Sequence, residues 1–196
     1  MPLRSGITFI IGGSRSGKSS FAESLASEPD SARVLYIATA EAGDPEMASR
    51  IAAHKARRPP EWSTWEGNVK ILPREIGSLV SAADTLLLDS LATYLSGMFI
   101  TVPESSYGDE KIWPCVEKEM LGGVREIFSN FRESEPEMNK HFIVVSDEVG
   151  CGVIPPYPMG RRFRDLLGAA NQIAAGLADQ AALVTAGIPL WIKVRG

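Results

Sequence analysis

The run I-T-F-I-I-G-G-S-R-S-G-K-S, Ile7 to Ser19, constrains this chain more than any other feature. Its first five residues are β-branched or aromatic, the character of a buried strand. The rest fits G-x-x-x-x-G-K-[ST], and the glycines let backbone N–H groups turn inward around phosphate oxygens. Lys18 then reaches the β- and γ-phosphates, and the Ser19 hydroxyl suits Mg²⁺. The helix predicted to follow adds its positive N-terminal end. A chain with this turn is committed to strand, phosphate loop and helix in that order.

The remaining sequence repeats the alternation. Apolar runs at 7–11, 34–38, 85–89, 142–146 and 182–186 lack strict period-two patterning, as expected for strands covered on both faces of a parallel sheet. Helical segments are predicted over 18–27, 45–57, 69–82, 113–133 and 161–178. This order predicts a single α/β domain over 1–196, a P-loop NTPase fold of RecA-like type. Its sheet is mostly parallel and flanked by helices. P-L-W-I-K, after a G-I turn, is expected to close it as an antiparallel edge strand. The stretch 97–112, punctuated by glycine, proline and serine, reads as an excursion at the sheet's carboxyl edge.

Charge and cysteine usage remove several function classes. With 24 acidic against 20 basic residues the net charge is −4, which argues against a nucleic-acid surface. Cys115 and Cys151 have no metal-ligand spacing and read as buried small hydrophobes in a reducing compartment. No apolar run approaches the roughly 18 residues of a membrane span, and the N-terminal apolar run is too short for a signal peptide. The expectation is a cytoplasmic protein.

Acidic partners for the loop are available. Asp89 ends T-L-L-L-D, where a carboxylate would contact Mg²⁺ or nucleotide. In S-D-E-V-G, Asp147 and Glu148 follow another strand and are expected to face the same cleft, with Glu148 a candidate to orient an acceptor hydroxyl. Arg161, Arg162 and Arg164 could surround a transferred phosphate or form a solvated helix face. N-K-H-F at 139–142 lacks the aspartate of a guanine-reading N-K-x-D. From these residues the chain is a P-loop phosphoryl or nucleotidyl transferase.

R-I-A-A-H-K-A-R-R-P-P-E-W-S-T-W-E, Arg50 to Glu66, holds one of two histidines. Asp44 and Pro45 make a helix start, and Pro59 and Pro60 stop it. Arg50, His54 and Arg58 then share one helical face, with Met47 and Ile51 as an adjacent apolar stripe. Cations beside an imidazole favour its neutral, nucleophilic form and stabilise phosphate charge. Spacing alone favours an ordinary histidine near a helix C-terminus. His141, beside a strand start, has only a structural reading.

Taken together, these segments resemble the bifunctional adenosylcobinamide kinase/adenosylcobinamide-phosphate guanylyltransferase family of cobalamin biosynthesis. The resemblance extends over nearly the whole chain. It is carried by G-G-S-R-S-G-K-S, V-L-Y-I-A-T-A, the histidine segment, L-L-L-D-S-L-A-T-Y-L, D-E-V-G-C-G-V-I-P and R-R-F-R-D-L-L-G-A-A-N-Q. It implies phosphorylation of adenosylcobinamide by GTP or ATP, then transfer of GMP from GTP through an enzyme histidine, at the position of His54. Gly12, Gly13, Ser14, Arg15, Ser16, Gly17, Lys18 and Ser19 would hold phosphates. Thr39, Ala40 and Glu41 would line the nucleotide site, with Lys55, Ala56, Arg57, Arg58, Glu66 and Asp89 completing it. Ser19 and Asp89 would hold Mg²⁺, with Lys18 catalytic beside His54. A corrinoid substrate and a homotrimer are further implications. Family members often have asparagine where this chain has Asp147, and 97–112 matches none of the family's motifs. From the residues alone, a small-molecule kinase of another pathway and a non-catalytic nucleotide-binding subunit stay open.

Overall fold

The computed structural model describes residues 5–28, 33–40, 43, 45–137 and 139–194, without the side chains of Glu46, Met47, Arg50 and Arg57. The described elements are β1 (Gly6–Gly12), α1 (Lys18–Ala26), β2 (Val34–Ala38), α2 (Pro45–Arg57), β3 (Ser63–Glu66), α3 (Leu72–Ala82) and β4 (Thr85–Asp89). After them come α4 (Leu91–Phe99), a 3₁₀ turn (Glu104–Gly108), α5 (Trp113–Ser134), β5 (His141–Asp147), α6 (Pro158–Leu177), β6 (Gln180–Thr185) and β7 (Ile188–Lys193). Asp44, the expected helix cap, lies outside the described residues.

The strands form one sheet in the order β3-β2-β4-β5-β1-β6-β7. All neighbours are parallel except β6 and β7. The P-loop NTPase class, the mostly parallel sheet and the antiparallel C-terminal strand are therefore as the motifs predict. The last turn differs by one residue: Ala186 and Gly187, at φ 51° and 79°, form it, so Ile188 already belongs to β7. Two successive left-handed residues match the right-handed twist of a tight hairpin.

Period-two geometry divides the apolar runs between two faces. Ile7 and Phe9, Leu35 and Ile37, Leu86 and Leu88, and Phe142 and Val144 join the core covered by α3 to α6. Ile10, Val34, Tyr36, Leu87, Ile143 and Val145 face α1, where Ala22, Leu25 and Ala26 pack. Four helices thus cover one face, and the other is covered more thinly. No described side chain of α2 is buried.

Register sets what the strand ends present. Ala38 aligns with Glu66 and with Asp89, and Gly12 aligns with Asp147. Three carboxylates and the start of the phosphate loop thereby share the carboxyl edge, where open α/β sheets bind ligands.

Two local expectations need correction. Strand β3 and helix α4 are additional elements: W-S-T-W-E is too polar for a two-sided strand pattern, but it is an edge strand. Helix α4 starts through a capping box in which Ser90 and Thr93 bond each other's backbone N–H. Cys115 and Cys151 are both exposed, not buried. The 97–112 stretch is largely exposed but anchored by its aromatics: Phe99 stacks on Tyr107 at 4.7 Å and meets Phe163 edge-on at 5.2 Å. Arg162 ties this stretch to α6 through the Tyr107 carbonyl (3.0 Å) and Glu110 (2.6 Å).

Phe142 stacks on Phe131 at 5.0 Å and tilts against Phe128 at 5.9 Å. Replacing it with alanine should cost about 3–5 kcal/mol, read by urea denaturation with an unchanged m-value.

Candidate active site

Between β1 and α1 the chain turns through left-handed Arg15 (φ 57°) and Gly17 (φ 96°). The tip of the β6–β7 hairpin comes close to this turn, and Gly187 N donates to Ser16 O at 2.7 Å. A Cβ on Gly12 would lie 2.5 Å from Val184 O, and one on Gly17 would lie 3.0 Å from Gly187 Cα. The motif glycines are thus required by backbone approach as well as by the turn.

A cavity of about 510 Å³ opens beside the loop, lined by Ser14 to Ser20, Ala40, His54, Arg58, Glu66, Asp89 and Asp147. Lys18 Nζ lies 2.6 Å from Asp147 Oδ1 and 3.3 Å from Gly13 O. Ser19 Oγ donates to Asp89 Oδ1 at 3.4 Å. The other oxygen, Oδ2, accepts from the Tyr36 hydroxyl at 2.6 Å and faces His54 Nδ1 across 3.7 Å. That last separation exceeds a hydrogen bond but closes with a shift of under an ångström. One carboxylate therefore spans the phosphate loop and the histidine.

The sequence-selected residues divide clearly. Lys18, Ser19, His54, Arg58, Glu66 and Asp89 meet in the cavity, with Ser14, Arg15, Ser16, Gly17 and Ala40. Gly12 and Gly13 stand behind it as the loop's backbone. Thr39 is buried and fixes the joint after β4: its hydroxyl accepts from Ser90 N at 2.9 Å and bonds Thr93 Oγ1 at 2.6 Å. Lys55 pairs with Glu66 at 2.6 Å and lines a neighbouring cavity of about 470 Å³ that shares Arg58 and Glu66. Ala56 is exposed and lines neither. Glu41, and the side chains of Arg57, Arg50 and Met47, lie outside what is described.

Of the acidic pair after β5, only Asp147 lines the cavity. The Glu148 carboxylate turns back to accept from Gly150 N. The arginine run is used structurally: Arg161 binds the Pro155 and Pro156 carbonyls, and Arg164 pairs with Asp165. Sequence reasoning missed Tyr36, Ser90 and Thr93. Tyr36 sits one strand over from Asp89 on the same face, a diagonal relation that only the register reveals.

The Ser19 hydroxyl and Asp89 Oδ1 form a hard-oxygen pair of the kind Mg²⁺ takes together with phosphate oxygens. Among the described residues no group of three or more His, Cys, Asp or Glu is placed to hold a metal without such help. None of the described helices is long and apolar enough to cross a membrane.

The family model described as cobinamide kinase / cobinamide phosphate guanyltransferase matches residues 8–192. The chain belongs to this family. It is 38% identical over 184 residues to the bifunctional adenosylcobalamin biosynthesis protein CobP of Pseudomonas aeruginosa, covering 94% of this chain and 95% of the relative. It is 32% identical to the CobU proteins of Escherichia coli and Salmonella typhimurium, covering 94% of this chain and 98% of each relative. Among solved structures, the flagellar accessory protein FlaH of Methanocaldococcus jannaschii superposes with a TM-score of 0.57 at 11% identity. That match covers 99% of this chain and 80% of FlaH. The RadB recombinase does so at 0.51 and 16%, covering 91% and 73%. At such identities these two matches bear on the fold alone, and they support the RecA-like assignment. The family resemblance drawn from the motifs is correct, and the chain is an enzyme of the cobinamide kinase/guanyltransferase family.

Gly17→Ala combines a strained φ with contact against the hairpin tip. It should weaken GTP binding about 5- to 30-fold in a fluorescence titration while the far-UV spectrum stays unchanged.

Proposed function

We propose that the protein phosphorylates adenosylcobinamide with GTP or ATP and then transfers GMP from GTP to adenosylcobinamide phosphate through His54. The products of the second stage are adenosylcobinamide-GDP and pyrophosphate. The observation carrying this reading is that Lys18 of the phosphate loop and His54 of α2 line one cavity, with Asp89 in contact with both sides.

In the first stage the acceptor hydroxyl oxygen bonds to the γ-phosphorus as its proton is lost to water, and the bond to the β-phosphate oxygen breaks, releasing the nucleoside diphosphate. Lys18 and the loop N–H groups hold the phosphates in place. Mg²⁺, held by Ser19 and Asp89, would neutralise phosphate charge. In the second stage His54 Nε2 bonds to the α-phosphorus of GTP and pyrophosphate leaves. A phosphate oxygen of the acceptor then displaces the imidazole. With Nδ1 directed at Asp89, the attack is assigned to Nε2, and the carboxylate offsets the positive charge that develops on the ring. The Arg58 Nε is buried without a hydrogen-bond partner, which leaves it a donor for phosphate.

In-line attack at the γ- and α-phosphorus cannot share one nucleotide pose. Either α2 moves between the stages or the nucleotide binds in two poses. The exposed character of α2 favours movement, since little apolar burial resists it. A single domain carrying both activities, assembled as a trimer, completes the proposal. Ile188, Leu190 and Ile192, exposed on the edge strand β7, offer an apolar contact surface for such an assembly.

GTP labelled at the α-phosphate should leave an acid-labile, base-stable label on the protein that His54→Ala abolishes. An active, nucleotide-binding protein that takes no label would reject the transferase half and leave a kinase. Lys18→Ala should lower adenosylcobinamide phosphorylation by about 100-fold or more in a coupled assay; unchanged turnover would remove the loop from the chemistry.

A further inference from the structure

Tyr36 is 2% exposed and lies on β2 between α1 and the end of α2, outside every role assigned above. A phenylalanine would fill the same apolar space on this face. A buried hydroxyl costs free energy unless it is paired, and this one donates to Asp89 Oδ2 at 2.6 Å.

The oxygen it holds is the one facing His54 Nδ1. A carboxylate rotates broadly about its last torsion. With Oδ1 toward Ser19 and Oδ2 on Tyr36, the Asp89 group is pinned at both ends and kept aimed at the imidazole. The ring has a second contact: the Arg58 guanidinium carbon lies 3.3 Å from its centroid. Arg58 follows His54 by four residues, one turn along, so this stack fixes the C-terminal end of the chain segment that carries the histidine. None of the described α2 side chains is buried, so polar and cation–π contacts such as these bear directly on its placement.

We infer that Tyr36 is a positioning residue for guanylyl transfer, acting on His54 through its hydroxyl to Asp89 and its ring under Arg58. The inference rests on the His54 reading proposed above. It separates the two half-reactions, because phosphoryl transfer makes no use of the imidazole and Asp89 Oδ1, the oxygen assigned to Mg²⁺, keeps its Ser19 partner when the Tyr36 hydroxyl is removed.

The test uses full-length wild type and Tyr36→Phe, both checked for folding by thermal melting. Attachment of GMP from α-labelled GTP is timed by rapid quench at saturating GTP, and adenosylcobinamide phosphorylation and the Kd for GTP are measured in parallel. Tyr36→Phe should slow GMP attachment about 10- to 100-fold, while phosphorylation and Kd stay within about threefold. Arg58→Lys, which keeps the charge but loses the planar stack, should also slow attachment more than phosphorylation. Full-rate attachment in Tyr36→Phe, or equal loss in both half-reactions, overturns the inference. A wild type that takes no label removes the parent reading and this one together; a labelled wild type with full-rate Tyr36→Phe removes only this one.

Discussion

The Asp89 carboxylate is the constraint on which the site depends. Its strand is buried on both faces, so its place at the carboxyl edge is set by the sheet and not by the loop that follows. Thr39, Ser90 and Thr93 then lock the joint below it through a closed set of short hydrogen bonds. Each of its oxygens has a separate partner: the phosphate loop on one side, and Tyr36 with the histidine helix on the other. A rigid anchor between two functional groups is what a chain needs if one nucleotide cavity is to serve two displacements.

The two sides of that anchor differ in how they are held. The loop is fixed between β1 and the β6–β7 hairpin, whose backbone approaches within contact distance of its glycines. The histidine helix instead lies over the thinly covered face and is held by polar and cation–π contacts. Among its described side chains none is buried, so little apolar burial resists its displacement. In the proposed reaction the fixed half holds the phosphates while the loosely held half brings the nucleophile to them.

Much of this was legible in the residues. The glycine-rich motif committed the chain to its first strand, loop and helix, and the unalternating apolar runs committed it to a two-sided parallel sheet. The boundaries of α2 follow from Pro45 and the Pro59-Pro60 stop. Legibility failed where tertiary contacts decide. Edge strand β3 has no two-sided apolar signal, because three of its four residues are exposed. The 97–112 stretch reads as an excursion by its glycines and proline, and its composition did not reveal that Phe99 and Tyr107 join the core. Tyr36 looked like any strand aromatic, since its relation to Asp89 is a diagonal across neighbouring strands. The pairing of Lys18 with Asp147 required the register of β1 against β5.

The central claim is that one carboxylate serves both half-reactions. Asp89→Asn keeps the shape of the side chain and removes its charge. Adenosylcobinamide phosphorylation and GMP attachment to His54 should be measured side by side on one preparation of this variant. Both should fall by at least about 100-fold. Attachment at the wild-type rate alongside lost phosphorylation, or the reverse, would contradict the claim.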